Sequence, residues 1–213
     1  TQILVRRAQV LLDQNKMSQA FDMALKANAR GTDQSVRAGA RLVQARILEK
    51  ELVAQSVKAR EDRLAMVLSM KTEKLDKAHT AYLGALKMSQ DPKEQIQALE
   101  GIDRSYDNYI VSIKTMELPA TLSPEDQKTL RDEFQKLIVP SQEKKDENEA
   151  KLKVLASTHG VGSKTNYASI RPDQTISPQI SYPEVDQFSA FFPVSGDFTI
   201  GKVSRITTDK VKS

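Results

Sequence analysis

Cysteine and tryptophan are absent from this chain of 213 residues, and only 5% of its residues are aromatic. The lack of cysteine excludes disulfide bonds, zinc sites built from thiolates and thiol catalysis. The hydrophobic runs are only a few residues long, far short of the ~20 residues that a membrane-spanning helix needs. We therefore expect no transmembrane segment in this stretch. A chain without cysteine is compatible with both the reducing cytoplasm and the oxidising periplasm, so cysteine usage does not identify the compartment.

Proline is missing from the first 91 residues, and the first one is Pro92. Ala, Leu, Gln, Lys and Glu dominate the first three quarters of the chain, a composition typical of helices packed on helices. A hydrophobic content of 39% is sufficient for a sizeable core. The sequence predicts an all-α body.

The first thirty residues predict two short helices joined by a polar turn. Apolar positions recur at helical spacing on both sides of Asp13–Met17, and a stripe of alanines in the second segment lets a partner helix approach closely. Gly31 is expected to end the second helix with a positive φ, and Thr32 is expected to cap the third helix. A hairpin of this size cannot bury its apolar face alone, so further helices should stack on it.

Later helix boundaries are indicated by charge and by proline. A break is predicted within Val57–Asp62, although the pattern also tolerates one long helix through it. Asp91 and Ser123 each directly precede a proline at the first helical position, and a carboxylate follows at the third helical position. This combination is a strong helix-start signal. The helix that follows Ser123 is expected to end or kink before Pro140, and one last helix is expected to run towards His159.

Positive charge is concentrated in the first 90 residues, which carry 16 Lys and Arg against 9 Asp and Glu. Clustered cations are the electrostatic signature of phosphate binding, so binding of an anionic polymer, a nucleic acid or a cell-wall glycan, is an alternative function. The cations are interspersed with acidic residues and with few aromatics, which favours a solvated helix surface over nucleic-acid binding. The positions concerned are Arg6, Arg7, Lys26, Arg37, Arg41, Arg46 and Arg63.

The composition changes after Gly160. Leucine is absent beyond this point, four prolines exclude long helices, and four of the six phenylalanines lie between Phe188 and Phe198. The sequence thus predicts a helical domain over residues 1–157 and a largely non-helical, extended arm over residues 158–213. The arm is expected either to anchor on the helical body through its phenylalanines, with a short hairpin around Ser195–Asp197, or to insert them into a partner.

Few residues of this sequence are candidates for catalysis or metal binding. His79 and His159 lack metal-ligand spacing, and Gly160–Lys164 lacks the glycine spacing of a phosphate loop and is interpreted as a hinge. Paired carboxylates, such as Glu49 with Glu51 or Asp146 with Glu147 and Glu149, are expected to be solvated on charged helix faces. No catalytic residue, cofactor or metal is predicted. Tyr106 and Tyr109 have the helical spacing of core residues, but aromatic side chains are also the candidate partner-binding positions: Tyr82, Tyr106, Tyr109, Phe188, Phe191, Phe192 and Phe198.

The chain over residues 1–157 resembles the C-terminal half of large tetratricopeptide-repeat (TPR) proteins of delta-proteobacteria and their predatory relatives, most closely from Lys74 onward. The shared pattern is a Lys-Ala and Ala-Tyr helix, an Asp-Pro start, two tyrosines, a proline-containing connector, a Leu-Ser-Pro-Glu start and a final proline. The residues that carry it are Lys77, Ala78, Ala81, Tyr82, Asp91, Pro92, Tyr106, Tyr109, Pro119, Leu122, Ser123, Pro124, Glu125 and Pro140. At the N-terminus Leu4, Ala8, Leu11, Ala20, Ala24 and Ala27 fit the TPR spacing, but the expected Leu-Gly pair is Arg7-Ala8 here.

The resemblance implies TPR-like helical hairpins that form an α-solenoid whose groove binds an extended peptide or a partner helix. It also implies a non-catalytic scaffold for protein-protein interaction in a bacterial envelope complex, periplasmic or outer-membrane-associated, such as the machinery of gliding motility. The chain begins at Thr1 without a leader, which predicts a processed protein or an excised segment.

Overall fold

The computed structural model describes residues 2–31 and 33–159, which form six α-helices and one 3-10 turn without a strand among them. The all-α prediction is therefore confirmed for these residues. The helices are α1 (Gln2–Asp13), α2 (Met17–Arg30), α3 (Gln34–Ala54), α4 (Leu64–Met88), α5 (Pro92–Lys114) and α6 (Pro124–His159), and the 3-10 turn (Glu61–Arg63) directly precedes α4.

The predicted hairpin at the start of the chain is present as α1 and α2. A three-residue turn joins the two helices, and its central residue, Asn15, has a φ of 60°, a left-handed conformation that asparagine tolerates better than most side chains. Ala8, Ala20 and Ala24 are fully buried between the helices and α3. Because alanine adds only a methyl group, the helix axes can approach closely there.

The junction between α2 and α3 differs from the prediction in two ways. Gly31 has a φ of −71° and an extended backbone, so the expected positive φ was wrong. A side chain there would lie 3.0 Å from the carbonyl oxygen of Ala27, and close approach is therefore what favours glycine. The cap of α3 is Asp33, whose carboxylate accepts from the backbone N–H of Ser35 at 3.0 Å, so the assignment of Thr32 as the cap was also wrong.

Three other boundaries agree with the sequence. α3 ends at Ala54 and α4 begins at Leu64, so the chain breaks across the predicted Val57–Asp62 stretch. Asp91 caps α5 by accepting from the N–H of Lys93 at 2.9 Å. Ser123 precedes α6, and its hydroxyl accepts from the N–H of Asp126 at 3.1 Å.

Of the two alternatives expected at Pro140, an end or a kink, the end was wrong, because α6 continues through the proline for 36 residues in all. Proline leaves the carbonyl four residues earlier without its helical donor and costs roughly 3 kcal/mol in a helix interior. Tertiary packing on both sides offsets this cost. Phe134 and Ile138 are buried before the proline, and beyond it the Asn148 side-chain amide donates to the backbone carbonyl of Leu99 on α5 at 2.8 Å.

The helices pack in chain order, each against the next, and α3 also contacts both α1 and α5. The largest hydrophobic cluster is formed by α3, α4, α5 and the first half of α6, and a second cluster joins α1 and α2 to α3. A third, smaller cluster of Ile96, Leu99 and Leu152 lies between α5 and the last part of α6. The predicted arm, apart from the last two residues of α6, lies outside the described residues.

Candidate functional site: a buried polar network and an apolar groove

The candidate partner-binding tyrosines are in the core. Tyr82 on α4 is 0% exposed, and Tyr106 and Tyr109 on α5 are each 2% exposed. The interpretation of Tyr106 and Tyr109 as core residues is confirmed, and a partner has no access to any of the three in this conformation. The other candidates, Phe188, Phe191, Phe192 and Phe198, lie outside the described residues.

A buried carboxylate joins three helices. Glu49 on α3 accepts from the Tyr82 hydroxyl on α4 and forms a two-pronged ion pair with Arg104 on α5, at 2.7 Å from Nε and 3.0 Å from the second guanidinium nitrogen. Glu49 is only 8% exposed, so the expectation that it is solvated like a surface carboxylate was wrong. The Arg104 guanidinium compensates the charge of Glu49 through two parallel hydrogen bonds, the geometry that arginine forms best with a carboxylate.

The ionisation of this network follows from its burial. Burial, with the charge of Glu49 and the hydrogen bond to it, raises the pKa of Tyr82 well above its ordinary value. Burial by itself would lower the pKa of Arg104, but the hydrogen bonds and the charge of Glu49 outweigh it and raise that pKa. Tyr82 therefore stays a neutral, fully buried donor, and Arg104 stays a cation whose side chain is 37% exposed. The arrangement links three helices.

A second buried charge, the Lys71 ammonium, caps the C-terminal end of α3. The Lys71 ammonium on α4 donates to the backbone carbonyls of Leu52 and Gln55, at 2.6 and 3.2 Å, and to the side-chain oxygen of Asn108 on α5 at 2.8 Å. The last carbonyls of a helix have no partner within the helix, and this lysine supplies one from another element. Burial, with the charge of Lys74, lowers the pKa of Lys71 to about 8.

Neither buried charge was identified from the sequence, although a signal was present. Glu49 lies four residues after Ala45 and three before Leu52, and Lys71 lies three residues after Leu68 and four before Leu75. All four of these apolar residues are buried. A charged residue that falls on the apolar period of a helix is therefore a candidate for a buried, paired charge.

A small cavity of about 10 Å³ lies beside the proline of α6, lined by Tyr106, Asp76, Pro140 and neighbouring side chains. The Tyr106 hydroxyl is buried there without a hydrogen-bond partner among the described residues. Its ring meets the His79 ring edge to face at a centroid distance of 5.4 Å. Burial, with the charges of Lys144 and Lys151, lowers the pKa of His79 to about 4.

An open apolar groove, which we call the C-terminal groove, lies on the described surface. It has a volume of about 490 Å³, within the range of roughly 300–1,000 Å³ typical of ligand sites. Side chains from α4, α5 and α6 line it, and the hydrogen bond from Asn148 to Leu99 joins α6 to α5. The lining of the groove includes Leu86, Leu99, Lys151, Val154, Leu155 and Thr158.

The cations of the first three helices are mostly on the surface. Arg6, Arg7, Lys26 and Arg37 are exposed, as is Arg63 before α4. Arg41 and Arg46 are part-buried, and Arg46 donates to the side-chain oxygens of Gln9 at 2.6 Å and Gln97 at 3.0 Å. Five of the seven predicted basic positions thus have the solvated placement that their spacing indicated.

Within residues 2–31 and 33–159 no group of three or more His, Asp or Glu side chains is arranged to hold a metal ion. Across the same residues, no helix has the length and apolar character needed to span a membrane. Comparison with protein-family models, curated proteins and solved structures gave no match. The TPR resemblance therefore stays a prediction that rests on the sequence pattern alone.

Proposed function

We propose that this chain is a non-catalytic, TPR-like helical scaffold that binds protein partners in a bacterial envelope complex. The observation that carries the proposal is the C-terminal groove, an open apolar surface in a chain whose buried Glu49 and Lys71 hold helices together. Val154 on its wall is 67% exposed although it is a β-branched hydrophobic residue. An apolar groove between helices is the usual site for a partner helix or an extended peptide.

The arrangement of the helices supports the TPR-like part of the proposal. The starts of α1 (Gln2) and α3 (Gln34) lie 32 residues apart, close to the repeat length of about 34 residues of a TPR unit. α3 contacts α1 and α5 as well as its neighbours in the chain, which is the contact pattern expected of stacked helical pairs. From α3 onward the helices are longer than α1 and α2, so the later helical pairs are lengthened relative to the first. The envelope location comes from the sequence resemblance.

Affinity capture from an envelope fraction tests the proposal. The full chain serves as bait and is compared with Val154→Glu, which places a charge in the groove. The control is Val111→Glu, which changes the same residue type at 50% exposure on α5, outside the groove. We expect the first variant, and not the control, to lose a defined protein partner. Equal capture by all three baits would show that the groove is not the binding surface.

The alternative function, binding of an anionic polymer, is favoured by the exposed arginines and lysine of α1, α2 and α3. Each phosphate contact would make the affinity fall with salt, with a logarithmic slope of about −0.9 per contact on duplex DNA. Titration of the chain with a fluorescent duplex and with a soluble cell-wall glycan at two salt concentrations tests it. A steep loss of affinity with salt, removed by Arg6→Gln with Arg7→Gln, would favour this function over the scaffold.

A further inference from the structure

We propose that the C-terminal groove is occupied in cis by the phenylalanine-rich segment of this same chain, residues 182–201, which a partner has to displace. The inference rests on the proposed function, since it assigns an internal ligand to the same groove. It makes the groove a switchable site whose availability the chain itself controls.

The first argument is where the described chain ends. Thr158, one residue before the end of α6, lines the groove together with Leu155 and Val154. The last described turn of α6 is therefore part of the groove lining. Only 28 residues separate His159 from Phe188, and their greatest reach is about 90 Å. A tethered ligand at this range is present at an effective concentration on the order of millimolar.

The second argument is composition. The groove is lined mainly by aliphatic side chains such as Leu86, Leu99 and Leu155, and the cluster beneath it is aliphatic as well. It thus needs an apolar ligand. Within residues 188–198 the chain carries four of its six phenylalanines, and each buried phenylalanine side chain can favour binding by about tenfold or more. No other stretch of the 54 residues after His159 has a comparable cluster.

The third argument is charge. Residues 182–201 contain Glu184, Asp186 and Asp197 and no lysine or arginine, so the segment is an anion overall. The groove has Lys151 in its lining, and Lys153 is exposed on the adjoining turn of α6. Opposite charges at the rim of an apolar contact select one ligand among several hydrophobic ones.

The absence of cysteine and the exposure of Val154 allow a direct test by photocrosslinking. A benzophenone side chain is introduced in place of Val154 in the full chain, and in place of Val111 as the control. The dilute protein is irradiated, and the monomer is digested with trypsin and a glutamate-specific protease, which should release residues 185–202 as one peptide. We expect this peptide to be joined to the α6 peptide from the Val154 variant and not to be joined in the Val111 control.

A second variant tests whether the phenylalanines carry the contact. Phe191→Ser with Phe192→Ser should lower the crosslink yield by about tenfold or more, whereas Ile176→Ser with Ile180→Ser, outside the cluster, should not. Crosslinks from Val154 to another part of the chain, only to a second copy, or at no higher yield than from Val111 would overturn the inference.

The two proposals can fail separately. If the groove variant loses its partner in the capture experiment but residues 185–202 are not crosslinked to Val154, the scaffold function stands and the cis occupant is wrong. If the crosslink forms and no partner depends on Val154, the segment is a permanent part of the fold and the scaffold function loses its binding surface.

Discussion

Gly101 on α5 lies directly against the phenol ring of Tyr82 on α4. A Cβ atom at position 101 would overlap that ring, and the same ring orients the hydroxyl that donates to Glu49. The absence of one side chain on α5 therefore sets how closely α4 can approach. It also sets the position of the Tyr82 hydroxyl that donates to the buried Glu49 carboxylate of α3.

Gly101→Ala is expected to destabilise the fold. Alanine normally favours a helix over glycine by up to about 1 kcal/mol, but here the overlap with a fully buried ring has to displace α4 or α5. We expect the free energy of unfolding to fall by about 2 kcal/mol. Chemical denaturation followed by circular dichroism measures it.

Gly84→Ala is the matched control on α4. The nearest atom to a Cβ there, at 3.0 Å, is the guanidinium nitrogen of Arg41, the far end of a long side chain that can move. This variant should be neutral or slightly more stable than the wild type. If both variants gained stability, the contact between Gly101 and Tyr82 would not limit helix packing.

Glu49→Gln is expected to destabilise the chain by about 2 kcal/mol. The substitution keeps the shape but leaves the Arg104 guanidinium without its counter-charge. Because the Arg104 side chain is 37% exposed, the cost falls below the roughly 3–5 kcal/mol of breaking a fully buried pair. Glu51→Gln, two residues further along the same helix, is the control. Burial, offset in part by Lys74 and Lys77, raises the pKa of Glu51, so loss of its charge should cost little. A similar loss of stability for the two variants would contradict the distinction drawn between them.

The sequence predicted the elements well where local chemistry decides them. Asp91 and Ser123 start helices because their side chains accept from free N–H groups whatever the rest of the fold does. The polar turn around Asn15 and the break before Leu64 follow from local composition in the same way. These features depend on residues within one turn of each other.

The features that the sequence failed to predict depend on contacts between segments that are distant in the chain. Pro140 is a helix breaker by local rules, and the packing of Phe134, Ile138 and Asn148 on the rest of the fold offsets its cost. Glu49 meets Arg104 across 55 residues of chain, so no local pattern identifies its partner. The C-terminal groove is formed by three helices at once, and its position could not be read from any one of them.

Pro140→Ala is expected to stabilise α6. The substitution restores a backbone donor for the carbonyl of Lys136 and removes the proline ring from the helix interior. Because Pro140 also lines the cavity beside Tyr106, part of the gain is lost to a larger void, and we expect a net increase of about 1–2 kcal/mol. Pro124→Ala, at the first position of α6 where no helical donor is needed, should stay close to the wild-type stability. A lower stability for Pro140→Ala would mean that ring packing at Tyr106 outweighs the lost hydrogen bond.

The stability of the folded chain should depend on His79 between about pH 6.5 and pH 4. Its pKa is lowered from an ordinary 6.5 to about 4 by burial and by Lys144 and Lys151, so the unfolded chain takes up its proton first as the pH falls. The stability that the neutral imidazole contributes is therefore present above pH 6.5 and is lost as the pH falls through 4, a change of about 2–3 kcal/mol.

His79→Gln removes this titration, and the variant should lose less stability than the wild type over that interval. Asp76, whose pKa is raised chiefly by burial, has the opposite sign but is present in both proteins and cancels in the difference. Denaturation curves at several pH values between 4 and 7 measure the two slopes. If the slope of His79→Gln matched that of the wild type, His79 would be protonated at the same pH in the folded and unfolded chains, and its burial against Tyr106 would not reach the imidazole nitrogens.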